Sequence, residues 1–92
     1  MYNYVMLIGT VTNISDLSTE FDTAVRHVTL ELNDSYFCVP TKFDVIVSDT
    51  MTEELYKDAK VVIKGRLYPD RIFDSVHIIA ERIMFISKQN EV

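Results

Sequence analysis

The sequence has no tryptophan, one cysteine, two glycines and two prolines in 92 residues. With Cys38 alone, no disulfide can form within the chain, and an unpaired thiol fits a reducing compartment. A structural zinc site takes about four Cys and His ligands. Cys38, His27 and His77 are too few and too scattered for one, so no metal and no other cofactor is expected. Two glycines leave no Gly-rich phosphate loop, and no Ser or Cys stands in a nucleophile motif. No catalytic residue is therefore assigned, and an enzyme is not expected. Long apolar runs are also missing. The stretch Val5-Met6-Leu7-Ile8 has no basic segment before it, unlike a signal peptide, and every apolar run is far shorter than the roughly 20 residues of a membrane-spanning helix. The expectation is a soluble, cytoplasmic chain without a membrane partner. Positive charge is scarce as well. The net charge of −5 argues against a generic nucleic-acid binder, which is usually basic, although a local basic patch can still bind.

What is present is hydrophobic patterning. Nearly half of the residues are hydrophobic, 48%, enough for one globular domain over 1–92 and too many for a disordered chain. A domain this small often gains stability by self-association. With few Gly and Pro, turns fall to Asn, Asp, Ser and Thr. A first strand is read over Tyr4–Ile14, with Gly9 inside it marking a bulge or a sharp bend, as at a barrel corner. Ser15–Thr23 reads as a loop. Ala24–Leu32 alternates Val28, Leu30 and Leu32 against His27, Thr29 and Glu31, the period of a half-buried strand. Pro40 cannot sit in a central ladder, so the third strand is placed at Lys42–Ser48, where Phe43, Val45 and Val47 alternate with Asp44, Ile46 and Ser48. Ser48–Lys57 reads as a helix of about two turns, with N-cap candidates before Glu53 and Glu54 and with Met51 and Leu55 on one face. Strands at Lys60–Tyr68 and Ser75–Ile86 follow, and the polar residues Ser87–Val92 are expected to fray. The order β-β-β-α-β-β, with one short helix between the third and fourth strands, is that of an all-β OB-fold, a five-stranded Greek-key barrel.

Five stretches then resemble the bacterial single-stranded DNA-binding protein (SSB) family. They are Met1–Gly9, with an Asn before an apolar run ending in Ile-Gly; Thr23-Ala24-Val25 with Val28-Thr29-Leu30; Thr41–Val47; Lys60–Leu67; and Ile78–Ile86. The chain departs from the family at Thr50-Met51, where a Gly-Lys pair is usual, and in lacking tryptophan. It ends at Gln89-Asn90-Glu91-Val92 without an acidic-aromatic tail, and so also resembles the shorter relative, primosomal replication protein N (PriB). The resemblance implies single-stranded DNA as partner, and action in DNA replication, repair or recombination. It further implies self-association as a homodimer or homotetramer, possible contact with replication or primosome proteins, and stacking aromatics at Tyr36, Phe43 and Phe73. A fourth such position falls at Asp49, whose carboxylate would repel phosphate.

Single strands are bound by rings that stack on bases and by cations that follow phosphates, with little reading of sequence. On the fourth strand Lys64, Arg66 and Tyr68 are two apart and share one face, interleaving cations with a ring while Val61, Ile63 and Leu67 point the other way. Arg71 beside Phe73 repeats the pairing in a loop, and Lys42 adds a cation. The expected binding set is thus Tyr36, Phe43, Phe73, Tyr68, Lys42, Lys64, Arg66 and Arg71. Phe21 and Phe85 read as core residues or loop anchors, and Tyr2 and Tyr4 as a subunit contact. The rival reading is an assembly or protein-interaction module that binds DNA weakly or not at all, favoured by the acidic balance and by Asp49. Oligosaccharide binding is open to the same fold, but nothing in the sequence favours it.

Overall fold

A computed structural model of the protein describes residues 3–34, 39–70 and 75–86. Six strands follow in chain order: β1 (Val5–Ile14), β2 (Ser18–Glu20), β3 (Thr23–Asp34), β4 (Val39–Ser48), β5 (Lys60–Asp70) and β6 (Ser75–Phe85). They form one sheet in the order β1-β5-β6-β4-β3, and β3 also pairs with β1, which closes the sheet into a five-stranded barrel with β2 added to β3. This is the OB-fold expected from the sequence. Every pairing is antiparallel except β4 with β6, which run parallel and meet at only two residue pairs, Val45 with Ile78 and Ile46 with Ile79.

Closure depends on β1 serving two neighbours. Val5–Thr10 pairs with β5 and Thr10–Ile14 with β3, so the strand changes partner at Thr10. Gly9 stands at that corner because a Cβ there would strike the Glu31 carbonyl oxygen. Gly65 serves the β5–β6 contact in the same way. Its missing side chain admits the backbone of Ile79 and Ala80, where the register shifts and leaves Glu81 as the extra residue of a bulge. Inside the barrel, Val11, Val28, Leu30, Val45, Val47, Val61 and Ile63 are fully buried. This β-branched set satisfies strand propensity and core packing together.

The structure corrects the sequence reading in three places. The helix expected over Ser48–Lys57 is a single 3-10 turn, Asp49–Thr52. The chain just after it is drawn onto β1: Asp58 N–H donates to the Val11 carbonyl at 2.7 Å, and Val11 N–H donates to the Ala59 carbonyl at 2.8 Å. The segment is therefore docked on β1. Asp58 takes a left-handed φ of 74°, and Tyr56 stacks on Phe85 with ring centres 6.2 Å apart. Met51 and Leu55 still pack against the core. The loop placed at Ser15–Thr23 holds β2, joined to β3 by the two-residue turn Phe21-Asp22 with φ of 55° and 58°. Two positive φ values suit the right-handed twist of a hairpin. Last, Pro40 lies within β4, opposite Asn33. At that point β4 has β3 as its only neighbour among the described residues, and an edge tolerates the missing N–H.

Beyond Gly65 the β1–β5 ladder ends, and Pro69–Asp70 pairs with Ser75–Val76 as a two-stranded arm. The Asn3 side chain ties the root of this arm to the N-terminal segment. Its Nδ2 donates to the Leu67 carbonyl at 2.7 Å, and its Oδ1 accepts from Leu67 N–H at 2.9 Å.

Candidate nucleic-acid interface

Antiparallel pairing puts cross-strand partners on the same face. Val28, Leu30 and their partners Val45 and Phe43 face inward. Val25 with Ser48, His27 with Ile46, Thr29 with Asp44 and Glu31 with Lys42 form the other, outer face. Two projections flank one end of it: the β2–β3 turn and the β5–β6 arm. Between them lies a cleft of about 280 Å³, floored by Val25, Ile46, Ile79 and Ala80 and edged by Glu20, Thr23 and Ser48. Phe21, from the β2–β3 turn, and Tyr68, from β5, both line it and are 58% and 44% exposed, respectively. These are rings presented to solvent over an apolar floor. Phe21 meets the His77 ring edge-on at 6.0 Å, and His77 Nε2 bonds Asp70 Oδ2 at 3.0 Å. The two walls of the cleft therefore touch across its mouth.

One polar cluster fixes the β2 wall. His27 Nε2 lies 2.5 Å from Glu20 Oε2, and its Nδ1 lies 2.7 Å from Asp44 Oδ2. Ionised carboxylates only accept, so the doubly protonated imidazolium is the form that satisfies both. The hydrogen bond to Glu20, followed by that to Asp44, raises the His27 pKa above its ordinary 6.5. The same bond, from the other side, holds the Glu20 carboxyl below its ordinary 4.5. A raised folded-state His pKa gives stability that is complete below 6.5 and is lost as pH climbs through the raised value. A lowered Glu pKa gives stability that is complete above 4.5 and is lost as pH falls through the lowered value. The contribution is therefore fullest between pH 4.5 and 6.5. His27→Gln is expected to cost about 1 kcal/mol in that window, as for a half-exposed ion pair, and to approach wild type as pH rises beyond it. Urea melts of both proteins across pH check this, and a difference independent of pH would contradict it.

The expected binding residues do not converge on one surface. Tyr36, Phe73 and Arg71 lie outside the described residues. Tyr68 lies on the cleft wall, and Lys42 is exposed on the outer face of β4 opposite Glu31. Phe43 is half-buried and stands opposite Leu30, on the row of Val45 and Val47. The Lys64, Arg66 and Tyr68 side chains are exposed and share one face of β5. Arg66 is occupied: its Nε bonds Glu81 Oε2 at 2.8 Å, and its guanidinium lies 5.3 Å from the centre of the Tyr4 ring. Lys64 stands between Met6 and Arg82. These three, with Tyr4 and Glu81, line a broader concavity of about 640 Å³ on the β1–β5–β6 face. It is the larger hollow, but Tyr4 is its only ring among the described residues. The smaller cleft is the better nucleic-acid candidate because two exposed rings from different elements line it. Sequence reasoning passed over Phe21 as an anchor, and it gave Glu20 and His77 no part in the site. The signal that was available is Phe21-Asp22 sitting between the polar run Ser18-Thr19-Glu20 and the strand start Thr23-Ala24-Val25, a turn that presents its own aromatic.

No protein-family model and no curated protein matches this chain. Solved structures do. The N-terminal domain of PriB from Thermoanaerobacter tencongensis, described as dimeric, is similar at a TM-score of 0.76 with 19% identity, over 94% of this chain and 98% of that one. Rim1, the mitochondrial single-stranded DNA-binding protein of S. cerevisiae, gives 0.77 with 10% identity over 94% and 95%. A small single-stranded DNA-binding protein from Streptomyces coelicolor gives 0.73 with 19% identity over 94% and 95%. At such identities the likeness establishes the fold. The chain has the OB barrel of SSB and PriB domains, as its sequence resemblance implied. Among the described residues, no helix is long and apolar enough to cross a membrane.

Proposed function

We propose that this protein binds single-stranded DNA, chiefly by stacking, in the cleft between the β2–β3 turn and the β5–β6 arm. The observation that carries this reading is two exposed rings from different elements, Phe21 and Tyr68, lining one cleft with the apolar floor of Val25, Ile46 and Ile79. In OB-folds the corresponding sheet face and the two loops beside it take oligonucleotides. Lys42 and Lys64, which make no ion pair among the described residues, supply phosphate contacts, and Arg66 joins them by exchanging Glu81 for phosphate. Phe43, on the inward row with Leu30 and Val45, supports the sheet from the core side and is not part of the proposed binding surface. Tyr36, Phe73 and Arg71 belong to the segments joining β3 to β4 and β5 to β6, and extend the path. The setting is DNA replication, repair or recombination in the cytoplasm.

Self-association is part of the proposal. Val5–Gly9 pairs with β5 on one side and leaves its other edge open among the described residues. Tyr4, Met6 and Ile8 beside it are 58–64% exposed. An open apolar edge invites pairing with a second copy, as a dimer or as a tetramer built from it. A second reading, a module for assembly with replication or primosome proteins, is favoured by the outer face of β3 and β4, where Glu31 and Asp44 flank Lys42.

Titration of the full chain with labelled single strands, both mixed-sequence and oligo-dT, beside a duplex control separates the two. The binding reading expects single-strand preference and an affinity that falls with salt, with a log–log slope of about −0.7 per phosphate contact. The few free cations place the total slope between about −1 and −3 on that scale. Absence of binding to any single strand at low salt would leave the assembly role.

A further inference from the structure

The polar lining of the cleft is one-sided. Glu20 Oε2 takes both of the bonds recorded for that carboxylate, from His27 Nε2 and from Ser18 Oγ at 3.3 Å. Oε1 is thus left free among the described residues. It belongs to an ionised group, held so by His27, and can only accept. The hydroxyls of the cleft are already engaged. Thr23 Oγ1 donates to the Phe21 carbonyl at 3.1 Å, and Ser48 Oγ lies 3.3 Å from Thr50 Oγ1. A base entering between Phe21 and Tyr68 therefore meets an acceptor and few available donors.

We infer that Glu20 makes this cleft selective for bases that carry an exocyclic amino group, and against thymine. Cytosine offers N4–H2, for which Glu is a fitting acceptor. Thymine turns carbonyl oxygens on both sides of a single N3–H, and those carbonyls face the Glu20 carboxylate. Stacking does not distinguish the two, since every base has a π-face. The selectivity comes from the carboxylate alone. This inference rests on the binding proposed above and adds to it one discriminating position.

The test compares oligo-dC with oligo-dT, each about 15 nucleotides long and so within the reach of one OB barrel, at pH 7.5 and matched salt. Wild type is expected to favour oligo-dC about fivefold, the effect of one hydrogen bond of ordinary net strength. Glu20→Gln supplies a donor as well as an acceptor. It should strengthen binding to both strands by removing a negative charge and should bring their ratio close to one. A ligand-side control leaves the protein untouched: oligo-dC dimethylated at N4 has no donor there and should lose its advantage over oligo-dT with wild type. Equal affinity of wild type for both strands, or a preference for oligo-dT, overturns the selectivity and leaves single-strand binding standing. Failure to bind either strand, or mixed sequence, removes the binding reading itself and the selectivity with it.

Discussion

Alanine at both Phe21 and Tyr68 is expected to weaken binding of a mixed-sequence single strand by about 2–4 kcal/mol, roughly 30- to 1000-fold. Phe21 is 58% and Tyr68 44% exposed, so about half of each side chain is available to a base. Stacking on an aromatic side chain is worth about 1–3 kcal/mol per base. The two rings face one cleft and need not act independently, so a sum below the maximum is expected. Phe21 holds a left-handed φ, which alanine tolerates no worse than phenylalanine does. The melting temperature should therefore stay near wild type while the dissociation constant rises. Single variants apportion the loss. If the double variant binds as wild type does, the strand takes another path, and the β1–β5–β6 face with Lys64 and Arg82 becomes the surface to test.

The largest expected effect on stability comes from Leu30→Ala. Leu30 is fully buried, and its register partners are Val11 on β1 and Phe43 on β4, so its side chain lies where three strands share the core. Removing three carbons there loses transfer free energy and leaves a cavity, which typically costs 2–5 kcal/mol. About 3–4 kcal/mol is expected here, because strands tied on both sides cannot collapse inward. For a single small domain this is a large part of the total stability of about 5–15 kcal/mol. Urea unfolding at fixed protein concentration is the measurement, with an unchanged m-value as the sign that the unfolded state is the same. A loss below about 1 kcal/mol would mean that the core is less tightly packed at Leu30 than its burial indicates.

The legibility of the sequence follows the length scale of each signal. Strands showed themselves because period-two alternation, such as Val28 and Leu30 against His27 and Thr29, is local. Gly9 was readable as a corner because a glycine within an apolar strand has few other uses. The 3-10 turn was not readable. Ser48, Thr50, Glu53 and Glu54 satisfy the local rules for a helix start, but the contact that draws the following residues onto β1, Asp58 and Ala59 on Val11, spans 47 to 48 residues of chain. The cleft was half legible. Tyr68 stood out through its alternation with Lys64 and Arg66. Phe21 did not, since its role depends on the fold bringing the β2–β3 turn against the β5–β6 arm. The Glu20–His27–Asp44 cluster joins three strands, and no spacing in the sequence announces it.

The parallel seam between β4 and β6 has a consequence for motion. Two residue pairs hold it, one of them Ile46 with Ile79, and these two side chains also floor the cleft. Such a short ladder contributes few backbone bonds, so the two strands are held at this line mainly by the packing of buried Val45 and Ile46. A strand of DNA seated on Ile46 and Ile79 bridges that weak line and acts as a clasp. Amide hydrogens along the seam should then exchange more slowly in the complex, so that the barrel is most firmly closed when its ligand is in place.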